Sequence, residues 1–476
     1  MKFLISDNLP TNNRFGKWYY SHDGDIRSWT DGTKLILWLG YTIETDIQEI
    51  IEKDTHRLKE VNGKFCVIIL FKDTLQVCLD YFGQTKVYYH TRDGLTVTNN
   101  LASLPLTEVD VKTSSVNYFV SRLGDEVTMY ERACKDPMNM RYIYEWNDFS
   151  HDNTVFDRVS SVPRDYWLEH KQGQTSLTKI HDTYAQNFSS FGSRVKMSNN
   201  ELEDKIHKCM DQHSDIIKSN YNNICSSISE GIDSTLQDHY FDANTRLMYH
   251  PEDLTSIDEL PPKYNLIEQY KQKSKEIKFD VFDVKKIDTI TCENVHDPML
   301  SWVDTVPTIW QINKLPQKPD VLLYGTCADE MFMHVPNFLF ARIPPAHRQS
   351  YSESYGGRKS PARSFKDPYN GQDVEDWHSK LAEMAKPRDY GRDIETQTGV
   401  LTTSLYADRR IFNLLHRASL GQQIDSMANV GTQKRILRDK FNFNFDTKFK
   451  DGAGFECRMV IKQLLTKILH KVTQAG

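Results

Sequence analysis

The segment Ile224-Cys-Ser-Ser-Ile-Ser-Glu-Gly-Ile-Asp-Ser-Thr235 concentrates residue types that can do chemistry. A short apolar run enters a turn of small residues and leaves it as a helix. Such a turn exposes backbone N–H groups at the start of the helix, where the helix dipole favours an anion. Ser229, Ser234 and Thr235 add hydroxyl donors, and Asp233 adds a carboxylate able to hold Mg2+ beside phosphate oxygens. An ordinary strand–turn–helix corner capped by Ser or Asp would use the same residue types. A second segment, Asp320-Val-Leu-Leu-Tyr-Gly-Thr-Cys-Ala-Asp-Glu330, repeats the arrangement: an apolar run ends in Gly325 and an acidic pair follows. Asp329 and Glu330 could equally be the favourable acids of a helix N-terminus. In an open parallel sheet, ligands sit beyond the C-terminal ends of the strands. Asp233 and Asp329 are both expected at that edge, where two acids facing one crevice suit a Mg2+–triphosphate group.

A second grouping is His207, Cys209 and His213. On a helix only Cys209 and His213, four apart, share a face, and two ligands do not close a zinc site. The 8 cysteines, Cys66, Cys78, Cys134, Cys209, Cys225, Cys292, Cys327 and Cys457, form no CxxC pair and no disulfide framework. They read as reduced thiols of a cytoplasmic protein.

The elements that must position these residues fall into two patterns. Lys34–Tyr41, Lys64–Phe71, Leu75–Leu79, Lys86–His90 and Leu95–Thr98 read as strands separated by turn signals, which implies an antiparallel sheet. A helix is expected from Thr45 to Leu58, where Ile47, Ile50, Ile51 and Leu58 recur at helical spacing. From Asn199 to Ser219 one amphipathic helix is expected. Strands at Asn223–Ile228, Thr245–Tyr249, Lys278–Val284 and Val321–Tyr324 then alternate with helices from Ser234 and around Leu266–Lys275. That alternation implies a parallel sheet covered on both faces. The boundary is placed in the Ser/Asn/Gly-rich stretch Gln186–Ser193, giving domains 1–195 and 196–476 and a fold that is α+β in its first part and α/β in its second. Tyr351–Asp373 reads as a long polar surface loop, with a basic nucleic-acid patch as its alternative.

The chain has 476 residues, 39% hydrophobic and 26% charged, with a formal net charge of −6. That apolar content supports real cores and excludes global disorder. The pI near 6.3 argues against a general nucleic-acid-binding surface. A membrane span needs about 20 apolar residues, and the sequence holds no such run, so no membrane association is expected. The opening Met1-Lys2-Phe3-Leu4-Ile5-Ser6-Asp7 has no long apolar stretch before its first acid, so a secretory signal is not expected.

Taken in order, the motifs resemble the asparagine synthetase group, which includes the glutamine-hydrolysing enzymes and the β-lactam synthetases. Ser229–Thr235 is similar to the SGGxDS pyrophosphate loop of its ATP-pyrophosphatase (PP-loop, adenine nucleotide α-hydrolase-like) domain, and Gly325–Glu330 to its G-x-G-A/S-D-E segment. His296-Asp297-Pro298 resembles its acid–proline turn, Asp408–Phe412 its F-L-D-x-R element, and Gln433–Arg438 its K-x-x-L-R helix. Lys448-Phe-Lys450 with Gly454-Phe455 resembles its R-x-K-x-G-F loop. Asn62–Leu70 and Asp80–Tyr89 are similar to the G-x-F-A and D-x-F-G-x-x-P-L-Y-Y segments of the family's Ntn-type class II glutamine amidotransferase domain.

The resemblance implies a ligase that activates a carboxylate with ATP as an acyl-adenylate, releases pyrophosphate and transfers the acyl group to an amine. By resemblance Ser229, Gly231, Asp233, Ser234, Thr235 and Gly325 would bind ATP and pyrophosphate. Asp233 and Asp329 would hold Mg2+, and Lys450 would stabilise the charge developing on the phosphates. Lys450 could also be one more solvated lysine in a basic stretch. The implied partners are small carboxylate and amine substrates; family members are often dimers, so a homodimer is the analogy.

Three departures bear on activity. Glutamine-using members carry Cys directly after the initiator Met, and residue 2 here is Lys2. Cys66 lies inside an expected strand and is read as core, so the glutaminase reaction is expected to be absent. Glu230 stands where glycine is usual, and its charge beside bound pyrophosphate would be repulsive. Thr326 replaces an acid, or the tyrosine of the β-lactam branch, and its hydroxyl is a poor general base. A degenerate homologue that binds nucleotide or a partner is one alternative, and an adenylating enzyme acting on a nucleobase derivative is another.

Overall fold

Lys34–Thr42 and Gly63–Phe71 are apolar at nearly every position, so strands built from them must bury both faces. In the computed structural model they pair antiparallel along their whole length, Leu37 opposite Ile68 and Leu39 opposite Cys66. Alternation sorts their side chains. Leu35, Leu37 and Leu39 join Cys66, Ile68 and Leu70 in one core. Ile36 and Trp38 join Phe65, Val67 and Ile69 in another. Gly40 has a positive φ, and a Cβ there would collide with the carbonyl oxygen of Lys64. Glycine is therefore what allows the two strands this close an approach.

The structure describes residues 1–91, 93–100, 103–104, 159–162, 166–180, 196–228, 231–241, 243–250, 277–281, 302–325, 328–332, 392–419, 421–422, 425–426 and 431–443. Within them the first part holds β1 (Phe3–Ser6), β2 (Asn13–Phe15), β3 (Trp18–His22), β4 (Arg27–Thr30), β5 (Lys34–Thr42), α1 (Ile47–Lys53), β6 (Gly63–Phe71), β7 (Thr74–Leu79), β8 (Tyr88–His90), β9 (Thr96–Thr98), β10 (Val159–Ser161), β11 (Tyr166–Lys171) and β12 (Gln174–Lys179). They form two antiparallel six-stranded sheets, ordered β10-β8-β9-β1-β3-β2 and β12-β11-β7-β6-β5-β4. Trp18, fully buried on β3, donates its indole N–H to the Phe71 carbonyl at 3.0 Å and so ties the first sheet to the second.

The expected helix Thr45–Leu58 is shorter than its periodicity implies. Asp46 caps α1 by accepting from the Gln48 N–H at 2.7 Å, and Ile47, Ile50 and Ile51 cover the outer face of the second sheet. At Asp54 the backbone turns extended and the carboxylate accepts from the His56 N–H at 3.0 Å. This local bonding competes with helix propagation, and a 3-10 turn, Thr55–Lys59, places Leu58 in the same core. Cys66 lies between the sheets, and burial pushes its thiol well above the ordinary range.

In the second part, α2 (Asn199–Asn220) starts at Ser198, whose hydroxyl accepts from the Glu201 N–H at 3.2 Å. Leu202, Ile206, Met210, His213 and Ile217 form its buried stripe. The remaining elements are β13 (Ile224–Ser227), α3 (Ile232–Phe241), β14 (Thr245–His250), β15 (Ile277–Val281), α4 (Trp302–Lys314), β16 (Val321–Leu323), α5 (Ala328–Met331), α6 (Arg392–Thr398), β17 (Leu401–Thr403), α7 (Arg409–His416) and α8 (Gly431–Phe441). β13 to β17 form one parallel sheet, ordered β15-β14-β13-β16-β17. No described helix is long and apolar enough to cross a membrane. The expected helix Leu266–Lys275, the loop Tyr351–Asp373, the linker Gln186–Ser193 and the His296-Asp297-Pro298 turn lie outside the described residues.

A buried polar seam joins the antiparallel sheets to the parallel one. Lys64 on β6 reaches Glu395 on α6 at 2.5 Å, with the two side chains 1% and 4% exposed. Glu395 also accepts from the Thr402 N–H and hydroxyl, both at 2.9 Å. Asn62 donates to the Asp408 carboxylate at 2.6 Å and accepts from the Arg409 N–H at 3.2 Å. Asp408 in turn caps α7 and is forked by the Arg410 guanidinium. Removing one partner of a buried pair strands the other charge. Lys64→Met is therefore expected to cost about 3–5 kcal/mol in urea unfolding. Adding Glu395→Gln, which keeps an acceptor for Thr402, should recover most of that loss.

Candidate functional site

Parallel pairing fixes where the two motif-bearing strands end. Ile224 stands opposite Val321 and Ser226 opposite Leu323, so β13 and β16 finish at the same edge of the sheet. In chain order the sheet grows from β13 outward through β14 and β15, and then resumes on the other flank with β16 and β17. The order reverses between β13 and β16, and at such a reversal the two following loops leave a crevice beyond the strand ends.

The first loop enters α3. Gly231 immediately precedes the helix and Asp233 lies in its first turn. The hydroxyls of Ser234 and Thr235, both buried, donate back to the Gly231 carbonyl at 3.2 and 2.8 Å. The same two hydroxyls are the ones the sequence offers to an anion, and in this structure they help to close the turn. The second loop follows β16. A Cβ on Gly325 would lie 3.4 Å from the Ser234 nitrogen and 3.5 Å from its Cα. The chain just past β16 thus approaches the first turn of α3 closely enough that a single added side-chain carbon would touch it. Asp329 is the second residue of α5, and its backbone place is what the structure describes. Ser229, Glu230, Thr326 and Lys450 lie outside the described residues.

Two further residues, neither given a role by the sequence, hold Asp233. Tyr406, fully buried three residues after β17, donates its hydroxyl to the Asp233 carbonyl at 2.6 Å. Burial, followed by the Asp233 charge, pushes that phenol well above its ordinary range. Gln433 on α8 donates its amide N–H to Asp233 Oδ1. Phe332, just after α5, packs edge-on against Tyr406 with ring centroids 5.7 Å apart, so the first turn of α3 and the end of α5 meet at one buried ring. Their partners lie 173 and 200 residues from Asp233 along the chain, too distant for any local pattern to announce.

The chemistry of this edge suits a magnesium ion brought by a phosphate ligand. Mg2+ is usually held by one or two carboxylates with phosphate oxygens and water, not by a protein cage. No group of three or more His, Cys, Asp or Glu residues that could hold a metal occurs among the described residues. The carboxylate of Asp233, with capacity for about four hydrogen-bond or metal contacts, is the hard oxygen donor here.

The His207, Cys209, His213 grouping serves packing instead. His207 Nδ1 meets the Tyr240 hydroxyl at 2.6 Å. His213 is 1% exposed, with Nδ1 3.2 Å from the Leu405 carbonyl and Nε2 2.8 Å from the Tyr41 hydroxyl. A carbonyl only accepts, so Nδ1 carries the proton and the neutral ring accepts from Tyr41 through Nε2. Tyr41 in turn accepts from the Thr403 hydroxyl at 2.7 Å. Both ring nitrogens are used, which leaves neither for a metal.

No family model matches the chain, and no curated protein matches it. Among solved structures it is similar to the allosteric regulatory enzyme of purine biosynthesis, at 7% identity and a TM-score of 0.19, over 53% of this chain and 61% of that one. It is also similar to the glutamine phosphoribosylpyrophosphate amidotransferase of B. subtilis complexed with ADP and GMP, at 7% identity and a TM-score of 0.22, over 72% of this chain and 71% of that one. The chain spans less than two thirds of the first. Likenesses at these scores carry no argument about the fold, which rests on the strand orders and registers above.

Burial pushes the His213 imidazole down to about 4. The unfolded ring takes up a proton near pH 6.5 while the folded ring stays neutral until near pH 4, so its contribution is complete above 6.5 and is lost as pH falls through that window. Asp80, pushed up to about 7 by burial, works in the opposite sense over nearly the same range. The measurable quantity is therefore a difference. Urea midpoints of His213→Gln should lose less stability than the native chain between pH 6.5 and 4.

Proposed function

We propose that this chain is an ATP- and Mg2+-dependent ligase resembling asparagine synthetase, one that joins a carboxylate to ammonia or another amine. The observation that supports it is the close approach of Gly325 to the Asp233-bearing turn at the edge where the parallel strand order reverses. ATP would lie with its terminal phosphates against the backbone N–H groups at the start of α3, held by the Ser229–Thr235 turn. Mg2+, bound by Asp233 and Asp329, would neutralise phosphate charge as it develops. The substrate carboxylate attacks the α-phosphorus, and the bond to pyrophosphate breaks with its electron pair leaving on pyrophosphate. The amine then attacks the acyl carbon and AMP departs. Lys450 would stabilise the leaving phosphates.

Residues 1–195 would be an amidotransferase-like domain without glutaminase activity, and residues 196–476 the nucleotide domain. The assigned compartment is the cytoplasm. A second reading, a homologue that binds nucleotide without making amides, is favoured by Glu230 in the phosphate turn and by the Ser234 and Thr235 hydroxyls bonded to Gly231.

Pyrophosphate release measured with a panel of acids and amines separates the two readings, since the second releases none. Asp233→Asn and Asp329→Asn should each abolish Mg2+-dependent nucleotide binding, read by calorimetric titration. Lys450→Ala should keep ATP affinity and slow pyrophosphate release; an unchanged rate removes Lys450 from the mechanism. Glutamine should yield no ammonia with this protein, and measurable hydrolysis would overturn the reading of Lys2.

A further inference from the structure

We infer that Gln433 is a positioning residue for Asp233, fixing the orientation of its carboxylate for a phosphate-bound divalent cation; this rests on the nucleotide-binding reading above. Gln433 is fully buried on α8, beside Ile436 and Leu437 of the same core-facing stripe. A buried amide is stable only where its polar atoms are bonded. Here the N–H side donates to Asp233 Oδ1 while Oε1, also buried, has no hydrogen-bond partner among the described residues. The orientation of the amide is not arbitrary. Turning it over would set a carbonyl oxygen against a carboxylate oxygen, two groups that only accept. The amide thus keeps its N–H side on the Asp233 carboxylate.

The same residue is held a second time, from a different element. Tyr406 fixes the Asp233 carbonyl while Gln433 fixes its side chain. Asp233 is the second residue of α3, and its main chain and its carboxylate are each bonded by a residue from a later segment of the chain. A carboxylate locked in one rotamer meets a cation without first losing side-chain freedom, and loss of such an outer partner typically weakens metal affinity about 10–100-fold.

The test uses the full-length chain with ADP as probe, titrated once with Mg2+ and once in EDTA. Gln433→Met keeps the length of the side chain and removes the N–H. It should weaken ADP binding in Mg2+ about 10–100-fold and leave binding in EDTA within twofold, a split that a merely structural contact would not produce. Should Gln433→Met fail to fold, Gln433→Asn is measured in the same way, and the loss confined to the Mg2+ titration is again the supporting result. A folded variant with the native Mg2+ dependence overturns the role of Gln433 and leaves the proposed function standing. A native chain whose ADP affinity is the same in Mg2+ and EDTA overturns the metal-assisted reading, and this assignment with it.

Discussion

The hydrogen-bonded register between β13 and β16 is the constraint on which the candidate site depends. Parallel neighbours run about 4.8 Å apart and end on one edge, so two segments almost a hundred residues apart are delivered side by side. The apolar character of the strands sets where the chemistry begins. Ile224, Cys225, Val321, Leu322 and Leu323 are buried, and an ionised group among them would face an uncompensated loss of hydration. Within β13 and β16 the polar residues are uncharged serines, and the acids that follow each strand come past the last ladder bond, at the turns into α3 and α5.

Behind that edge lies a chain of directional bonds with little freedom in it. The Leu405 carbonyl decides the tautomer of His213, which makes Tyr41 a donor, which in turn makes the Thr403 hydroxyl a donor to Tyr41. The Leu405 N–H goes to the side-chain oxygen Oε1 of Gln237 on α3 at 2.9 Å, and the next residue, Tyr406, holds Asp233. One short segment after β17 thus links a strand of the antiparallel sheets to the turn that would hold phosphate. Each of these groups is buried, so a wrong pairing would leave a polar atom unbonded, and the network specifies one arrangement more than it adds stability.

Much of this was legible in the chain before any coordinates. β5, β6, β13 and β16 are apolar runs bounded by turn residues, and α2 carries a stripe at helical spacing, so local pattern and tertiary burial agree. β1 to β4 were not read. They are three to five residues long, too short to show a period, and apart from the largely buried β1 they are mostly exposed or half-buried, so pairing with neighbours is what makes them strands. The split of the expected helix at Asp54 turns on one side chain bonding its own backbone, which composition does not reveal. Tyr406 and Gln433 were invisible as site residues for a different reason: a hydrogen bond between positions far apart in sequence leaves no trace in spacing. Ser234 and Thr235 have hydroxyls bonded back to Gly231, a local bond that residue type alone does not announce.

The same seam gives the antiparallel sheets a role that needs no chemistry of their own. A cysteine nucleophile must be an accessible thiolate, and Cys66 is sealed between two sheets with its thiol pushed up. What β5 and β6 supply instead is Tyr41 and Lys64, with Asn62 just ahead of β6, each meeting a partner across the seam. Lys64 neutralises Glu395, Asn62 bonds the carboxylate that caps α7, and Tyr41 sets His213. Without them Glu395 would be a buried carboxylate with no cation from Lys64, and the segment Thr402–Asp408, which Leu405 and Tyr406 bond to α3, would lose its bonds to Lys64, Tyr41 and Asn62. The parallel sheet can present Asp233 in one geometry because residues well outside it satisfy the charges behind the site.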